Sequence, residues 1–137
     1  MRTEGSLALA SDKEAVVRRM VDALQRADAN AIGELVNDDV VYHFPGRSPV
    51  AGTYRGRAEV LGLLATFRQL LDGPARFDTH DVVASEAHVV ELASYEASRA
   101  GRTLRWNVTR TYHVGEDRIT EIWLAIEDLY AFDAFLE

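Results

Sequence analysis

Apolar positions in the first half of the chain recur at helical intervals. Val17, Met20, Val21 and Leu24 follow Ser11 and Glu14, which have capping-box spacing, and predict a helix from about Asp12 to Ala27. Residues 1–10 are expected to be a flexible N-terminal tail and 11–137 a single domain. Asn30 is placed to cap a short second helix through Ile32, Leu35 and Val36, and the run Val40-Val41-Tyr42-His43-Phe44 then reads as a strand. Gly46, Pro49, Gly52 and Gly56 make the stretch from Pro45 to Gly56 a loop. Val60, Leu61, Leu64, Phe67, Leu70 and Leu71 mark one face of a third helix, stopped by Asp72-Gly73-Pro74.

Beyond Ala75 the period changes to that of strands. Four β segments are expected near 75–84, 88–98, 103–114 and 118–126, separated by short turns, and Asp128 then opens a terminal amphipathic turn or helix. Helices first and an antiparallel meander afterwards give an α+β architecture, with helices on one face of a strongly curved sheet. Between Thr103 and Val114 the even positions are mostly apolar and the odd ones polar, whereas both faces of 118–126 carry bulk. A sheet covered on one side only would expose Trp106, Tyr112 or Trp123, which predicts a homodimer through the outer sheet face. The alternative is that the terminal segment covers both aromatic sets.

Composition narrows the classes. At 137 residues, 47% hydrophobic and 27% charged, the chain is one globular unit rather than a disordered, fibrous or membrane protein. Its net charge of −7 disfavours nucleic acid and anionic lipid as partners. Cysteine is absent, so thiolate chemistry is excluded and a cytoplasmic location is expected. The four histidines, His43, His80, His88 and His113, have no ligand spacing, so no metal and no cofactor are expected. No phosphate loop, nucleophile elbow or His-Glu-x-x-His pair occurs.

The stretch Asp39-Val40-Val41-Tyr42-His43-Phe44-Pro45-Gly46, followed by Ser48-Pro49 and Ala51-Gly52-Thr53-Tyr54-Arg55-Gly56, resembles the SnoaL-like, ketosteroid isomerase-like branch of the nuclear transport factor 2-like superfamily. The hairpin from Gly115 to Ile126 and the ending from Asp128 to Phe135 are similar too, so the resemblance runs from about Lys13 onward. It implies a cystatin-like α+β roll: a cone-shaped, curved antiparallel sheet wrapped around N-terminal helices, with a deep apolar pocket and often a homodimer. It does not carry over a reaction. Aligned without gaps, the proton shuttle and two oxyanion donors of ketosteroid isomerases fall on Phe44, Met20 and Thr109. Tyr42 matches a water-holding tyrosine of limonene epoxide hydrolases, but their two aspartates and arginine fall on Leu124, Ala93 and Glu91.

The register implied by those relatives turns Met20, Tyr42, Phe44, Glu91, Tyr95, Arg105, Asn107, Thr109, Ile122, Leu124 and Ile126 toward the pocket, with Phe67 on the covering helix. It turns Trp106, Tyr112 and Trp123 outward. A three-residue turn at Arg99 to Gly101 would set Tyr95 opposite Arg105, Ala93 opposite Asn107 and Glu91 opposite Thr109; a one-residue slip would reverse every assignment. Glu91 and His43 are the catalytic candidates. Burial should raise the Glu91 pKa and suit it to proton transfer, the alternative being a salt bridge to Arg105 or Arg110 or a solvent-facing strand position, while strand alternation points His43 away from Tyr42. The expected function is binding of a small, largely apolar carbonyl compound, with isomerase, cyclase or hydrolase activity by acid/base chemistry through Glu91. The alternative is a non-catalytic dimeric binding or interaction module with a vestigial pocket.

Overall fold

A computed structural model describes residues 2–137, and the side chains of 9–137. Helix α1 (Arg2–Gln25) is followed by α2 (Ala29–Leu35), strands β1 (Val36–Phe44) and β2 (Gly52–Arg55), and helix α3 (Arg57–Gln69). Strands β3 (Arg76–Ala84), β4 (Val89–Arg99), β5 (Arg102–Val114) and β6 (Ile119–Ile126) precede the short helix α4 (Leu129–Phe135). One six-stranded sheet runs β2-β1-β6-β5-β4-β3. This is the expected α+β cone, with one correction: β1 pairs parallel to β6, so the sheet is mixed rather than wholly antiparallel.

Helix α1 begins before the Asp12 start expected for it; the tail assigned to 1–10 falls mostly on positions whose side chains lie outside the described residues. Its buried face carries Val16, Val17, Met20, Val21 and Ala23. It ends in a Schellman motif: Ala27 adopts φ 51°, the Ala27 N–H donates to the Leu24 carbonyl, and the Asp28 N–H donates to that of Ala23. Asp28, rather than Asn30, then caps α2, its Oδ1 accepting from the Ala31 N–H at 3.1 Å. Strand β2 lies inside the stretch expected to be loop. Its four residues pair with β1, but Gly46, Gly52 and Gly56 in and around it mask any strand period.

The β4–β5 hairpin sets the geometry of the interior. Arg99 pairs with Arg102, leaving a two-residue turn in which Ala100 and Gly101 have φ of 51° and 78°. Two positive φ values are what a type I′ turn requires, and its twist matches that of the flanking strands. Asp72, just after α3, holds this turn: its carboxylate accepts from the Ala100 and Gly101 N–H groups at 2.9 and 3.0 Å. Those backbone hydrogen bonds, chiefly that from Gly101, keep the Asp72 carboxyl below its usual range. With the shorter turn, Tyr95 pairs with Trp106, Ala93 with Val108 and Glu91 with Arg110. The even residues of β5 therefore face the helices.

Aromatic rings fill the space under α4. Phe132 lies 5.2 Å from Trp106, 5.9 Å from Phe44 and 6.3 Å from Phe67, ring centroid to centroid. Tyr95 stacks on Trp106 at 5.4 Å and Phe77 on Tyr95 at 4.8 Å. The Pro45–Ala51 connection is fixed to α4 through Asp133, whose Oδ2 accepts from the Arg47 N–H at 3.0 Å while the carboxylate lies against Gly46.

Candidate ligand-binding site

Between the sheet and helices α1 to α3 lies a cavity of about 350 Å³. Its wall is apolar over most of its area, with Met20, Leu24, Ile32, Val60, Leu64 and Phe67 from the helices and Phe44, Ile122, Leu124 and Ile126 from the sheet. A few polar groups in a mostly hydrophobic hollow of this size are what small-molecule sites present. The polar side chains of the sheet wall sit together at one point, Tyr42, Tyr95, Arg110 and Tyr112, and Arg68 of α3 is a further charged lining residue.

Strand register brings them together. Arg110 on β5 is directly opposite Glu91 on β4, and its neighbour in the next strand is Leu124. Glu91 is fully buried and Arg110 only 6% exposed. The Arg110 Nη1 donates to Glu91 Oε1 at 3.0 Å, and the Tyr112 hydroxyl donates to the same oxygen at 2.7 Å. Thr79 Oγ1 donates to Oε2 at 2.6 Å. On the other edge of the guanidinium, Nε donates to the Tyr42 hydroxyl at 3.2 Å and Nη2 to the Tyr95 hydroxyl at 2.9 Å. That Nε/Nη2 edge is the fork on which Arg usually holds the two oxygens of a carboxylate; here two phenols take the places.

The electrostatics follow from this packing. Burial works to raise the Glu91 pKa, but the Arg110 charge and the hydrogen bonds from Thr79, Tyr112 and Arg110 together outweigh it and hold the carboxyl below its ordinary value. Burial works against the Arg110 charge, yet the surrounding phenol oxygens and Glu91 keep the guanidinium protonated, its pKa well above the ordinary one. Burial pushes Tyr95 up, and Tyr112 further still. The pair is thus a neutralised Glu⁻–Arg⁺ unit. Tyr42 and Tyr95 each accept from Arg110, and neither hydroxyl hydrogen is taken by another group among the described residues. A phenol that accepts from a cation is a stronger donor toward anything beyond it.

Several expected assignments change. Arg105, Asn107 and Thr109 lie on the opposite face of the sheet, because the hairpin turn has two residues rather than three. There Arg105 pairs with Glu96, and Asn107 accepts from the Ser94 hydroxyl at 2.8 Å. Trp106 and Tyr112, expected to face outward, line the cavity instead, whereas Trp123 does face outward, stacked on His43 at 5.8 Å. Met20, Tyr42, Phe44, Phe67, Tyr95, Ile122, Leu124 and Ile126 are on the cavity wall. Glu91 lies behind that wall with both oxygens occupied and its pKa lowered rather than raised, so it is not a poised general base. His43 is on the outer face, bonded to Glu121, and does not reach the cavity.

Arg110, which the sequence offers only as one of two salt-bridge partners for Glu91, is the pocket residue that sequence reasoning missed. Its signal was available: it is the one charge on the apolar face of 103–114, and Glu91 is the one charge in the apolar run of the neighbouring strand. Among the described residues no group of three or more His, Asp or Glu side chains could hold a metal ion. No described helix is long and apolar enough to cross a membrane.

With this geometry, the comparisons with known proteins fall into line. The family model of the SnoaL-like domain matches residues 17–122, and the chain belongs to that family. The uncharacterized protein Rv0034 of Mycobacterium tuberculosis strain H37Rv is 28% identical over 121 residues, which cover 88% of this chain and 92% of the relative. Among solved structures, Bal32a from a soil-derived mobile gene cassette superposes with a TM-score of 0.90 at 25% identity, covering 94% of this chain and 99% of that one. A nuclear transport factor 2-like protein from Burkholderia xenovorans LB400 shares the fold, with a TM-score of 0.74 at 21% identity over 90% of this chain and 96% of its own.

Proposed function

We propose that the cavity binds a neutral, largely apolar carbonyl compound, with the Tyr42 and Tyr95 hydroxyls donating to its oxygen. The observation that carries this reading is the pair of phenols on one edge of Arg110, at the polar point of the sheet wall in a mostly apolar hollow. Glu91 cancels the Arg110 charge, so the inner end of the cavity favours an uncharged acceptor over a carboxylate. Among the described residues the wall holds no Asp, Glu or His, and this favours binding over turnover by a side-chain base. The same donors would stabilise an enolate oxygen, so isomerisation or cyclisation is compatible with the site only where water or the substrate itself takes the proton. The outer sheet face, with Val83, Val90, Leu92 and Trp123, supports a homodimer, and the cysteine-free chain a cytoplasmic location.

The test is calorimetric titration with 2-acetylnaphthalene and with 2-ethylnaphthalene, which has the same shape and no oxygen. Tyr42→Phe and Tyr95→Phe should each weaken the ketone about three- to tenfold, the worth of one hydrogen bond, and leave the hydrocarbon unchanged. Equal affinities for the two compounds, unaffected by either substitution, would overturn the reading.

A further inference from the structure

The cavity opens between the α1–α2 turn, helix α3 and the segment before β3. The exposed residues of its lining mark the mouth: Ala27 and Ala29 on one side, Ala65 and Arg68 on α3, and Pro74 beyond it. Four of these five side chains are small and uncharged, and Arg68 is the charged one. Neighbouring carboxylates are already engaged. Asp28 is bonded to Arg26 at 2.9 Å and to the Ala31 N–H, and Asp72 holds the two N–H groups of the β4–β5 turn. Arg68 forms no ion pair among the described residues, in a chain where 22 acidic side chains outnumber 15 basic ones.

Resting on the reading of the cavity above, we propose that the ligand is amphiphilic: its carbonyl end lies inward at Tyr42 and Tyr95, its hydrocarbon body fills the hollow, and an anionic group at its outer end pairs with Arg68. The two ends of the cavity then differ in kind. The inner end is neutral overall, because Glu91 compensates Arg110, whereas the outer end offers a cation with no ion-pair partner among the described residues. An anion placed at the inner end would meet a carboxylate 3.0 Å behind the guanidinium, whereas the carboxylates beside the mouth, Asp28 and Asp72, are bonded to other groups and neither pairs with Arg68. Orientation follows from this asymmetry alone. A cation in the last turn of α3 also complements the helix dipole, but that role needs no ligand and predicts no dependence on ligand charge.

The probes are 2-undecanone and 10-oxoundecanoate, which have the same chain length and methyl-ketone end and differ only in a terminal carboxylate. Calorimetry on the full chain at low salt should show the keto acid binding about two- to fivefold tighter than the ketone, as expected of one partly exposed ion pair. Arg68→Gln should abolish that preference without changing the ketone affinity, Arg68→Lys should retain most of it, and Arg68→Glu should invert it. Added salt should shrink the preference in the unmodified protein. Equal preference in the unmodified protein and Arg68→Gln overturns the inference while leaving the cavity reading intact. Failure of both compounds to bind overturns the cavity reading and the inference with it.

Discussion

Replacing Arg110 by Met removes one partner of a buried pair while keeping a similar length and shape. Glu91 would then be a fully buried carboxylate left with only the Thr79 and Tyr112 hydroxyls, having lost the bond at 3.0 Å and the opposite charge. Breaking one side of such a pair costs about 3–5 kcal/mol near neutral pH. The pH dependence should also change sign. In the unmodified protein the Glu91 pKa is depressed, so its contribution is present above the ordinary value of 4.5 and is lost as pH falls through the lower folded value. Without Arg110, burial is the largest remaining influence and raises the folded pKa. The contribution is then present at acid pH and lost as pH rises through that raised value. The stability gap between the two proteins should therefore widen from about pH 4 to about pH 8. The assay is urea unfolding at fixed protein concentration, followed by tryptophan fluorescence. The double variant Glu91→Leu/Arg110→Met should be no less stable than Arg110→Met, because removing both charges strands neither. A single variant within about 1 kcal/mol of the unmodified protein, or a gap that does not vary with pH, would refute the reasoning.

Four further substitutions have expected outcomes. Ala100→Asn, at the first turn position with φ 51°, should gain about 0.5–1 kcal/mol and raise the melting temperature by about 2–3 °C, because Asn-Gly is a favoured type I′ pair. Gly46→Ala should lose about 1–3 kcal/mol in thermal melts, since the residue has φ +100° and its new Cβ would lie 2.4 Å from Asp133 Oδ1; Gly62→Ala, helical with nothing within 4 Å, should instead gain about 0.5–1 kcal/mol. Trp123→Glu on the outer sheet face should convert the proposed dimer to a monomer in light scattering with a native circular-dichroism spectrum, and an unmodified protein that is already monomeric would remove the dimer proposal.

Much of this molecule is legible from local pattern. The boundaries of β3 to β6 lie within about a residue or two of the alternation limits, because each strand has one buried face and ends at a short polar turn. The parallel pairing of β1 with β6 has no local signature, since the two strands are far apart in sequence. The site depended on a smaller detail. Counting Arg99 as part of the turn makes it three residues long and moves Arg105, Asn107 and Thr109 inward; pairing Arg99 with Arg102 turns Trp106, Arg110 and Tyr112 inward instead. The apolar character of the even β5 positions already favoured the second arrangement, whereas the register implied by the resemblance gave the first. Likewise, burial alone suggested a raised Glu91 pKa. The opposing guanidinium, which the register selects from the two candidates Arg105 and Arg110, reverses the direction together with the Thr79 and Tyr112 hydrogen bonds.

The Glu91–Arg110 pair also bears on how this chain can change over time. Losing either member alone strands a buried charge, at a cost of about 3–5 kcal/mol that consumes a large part of the margin by which a domain of this size stays folded. A new polar chemistry at the inner end therefore requires two substitutions on separate strands, with the poorly folded single variant lying between them. The apolar wall carries no such constraint: Leu24, Leu61, Leu64 and Met20 are interchangeable with other hydrophobes of similar volume at modest cost. Ligand preference in descendants of this sequence should thus drift through the shape of the hydrocarbon compartment, while the oxygen-binding end stays as it is.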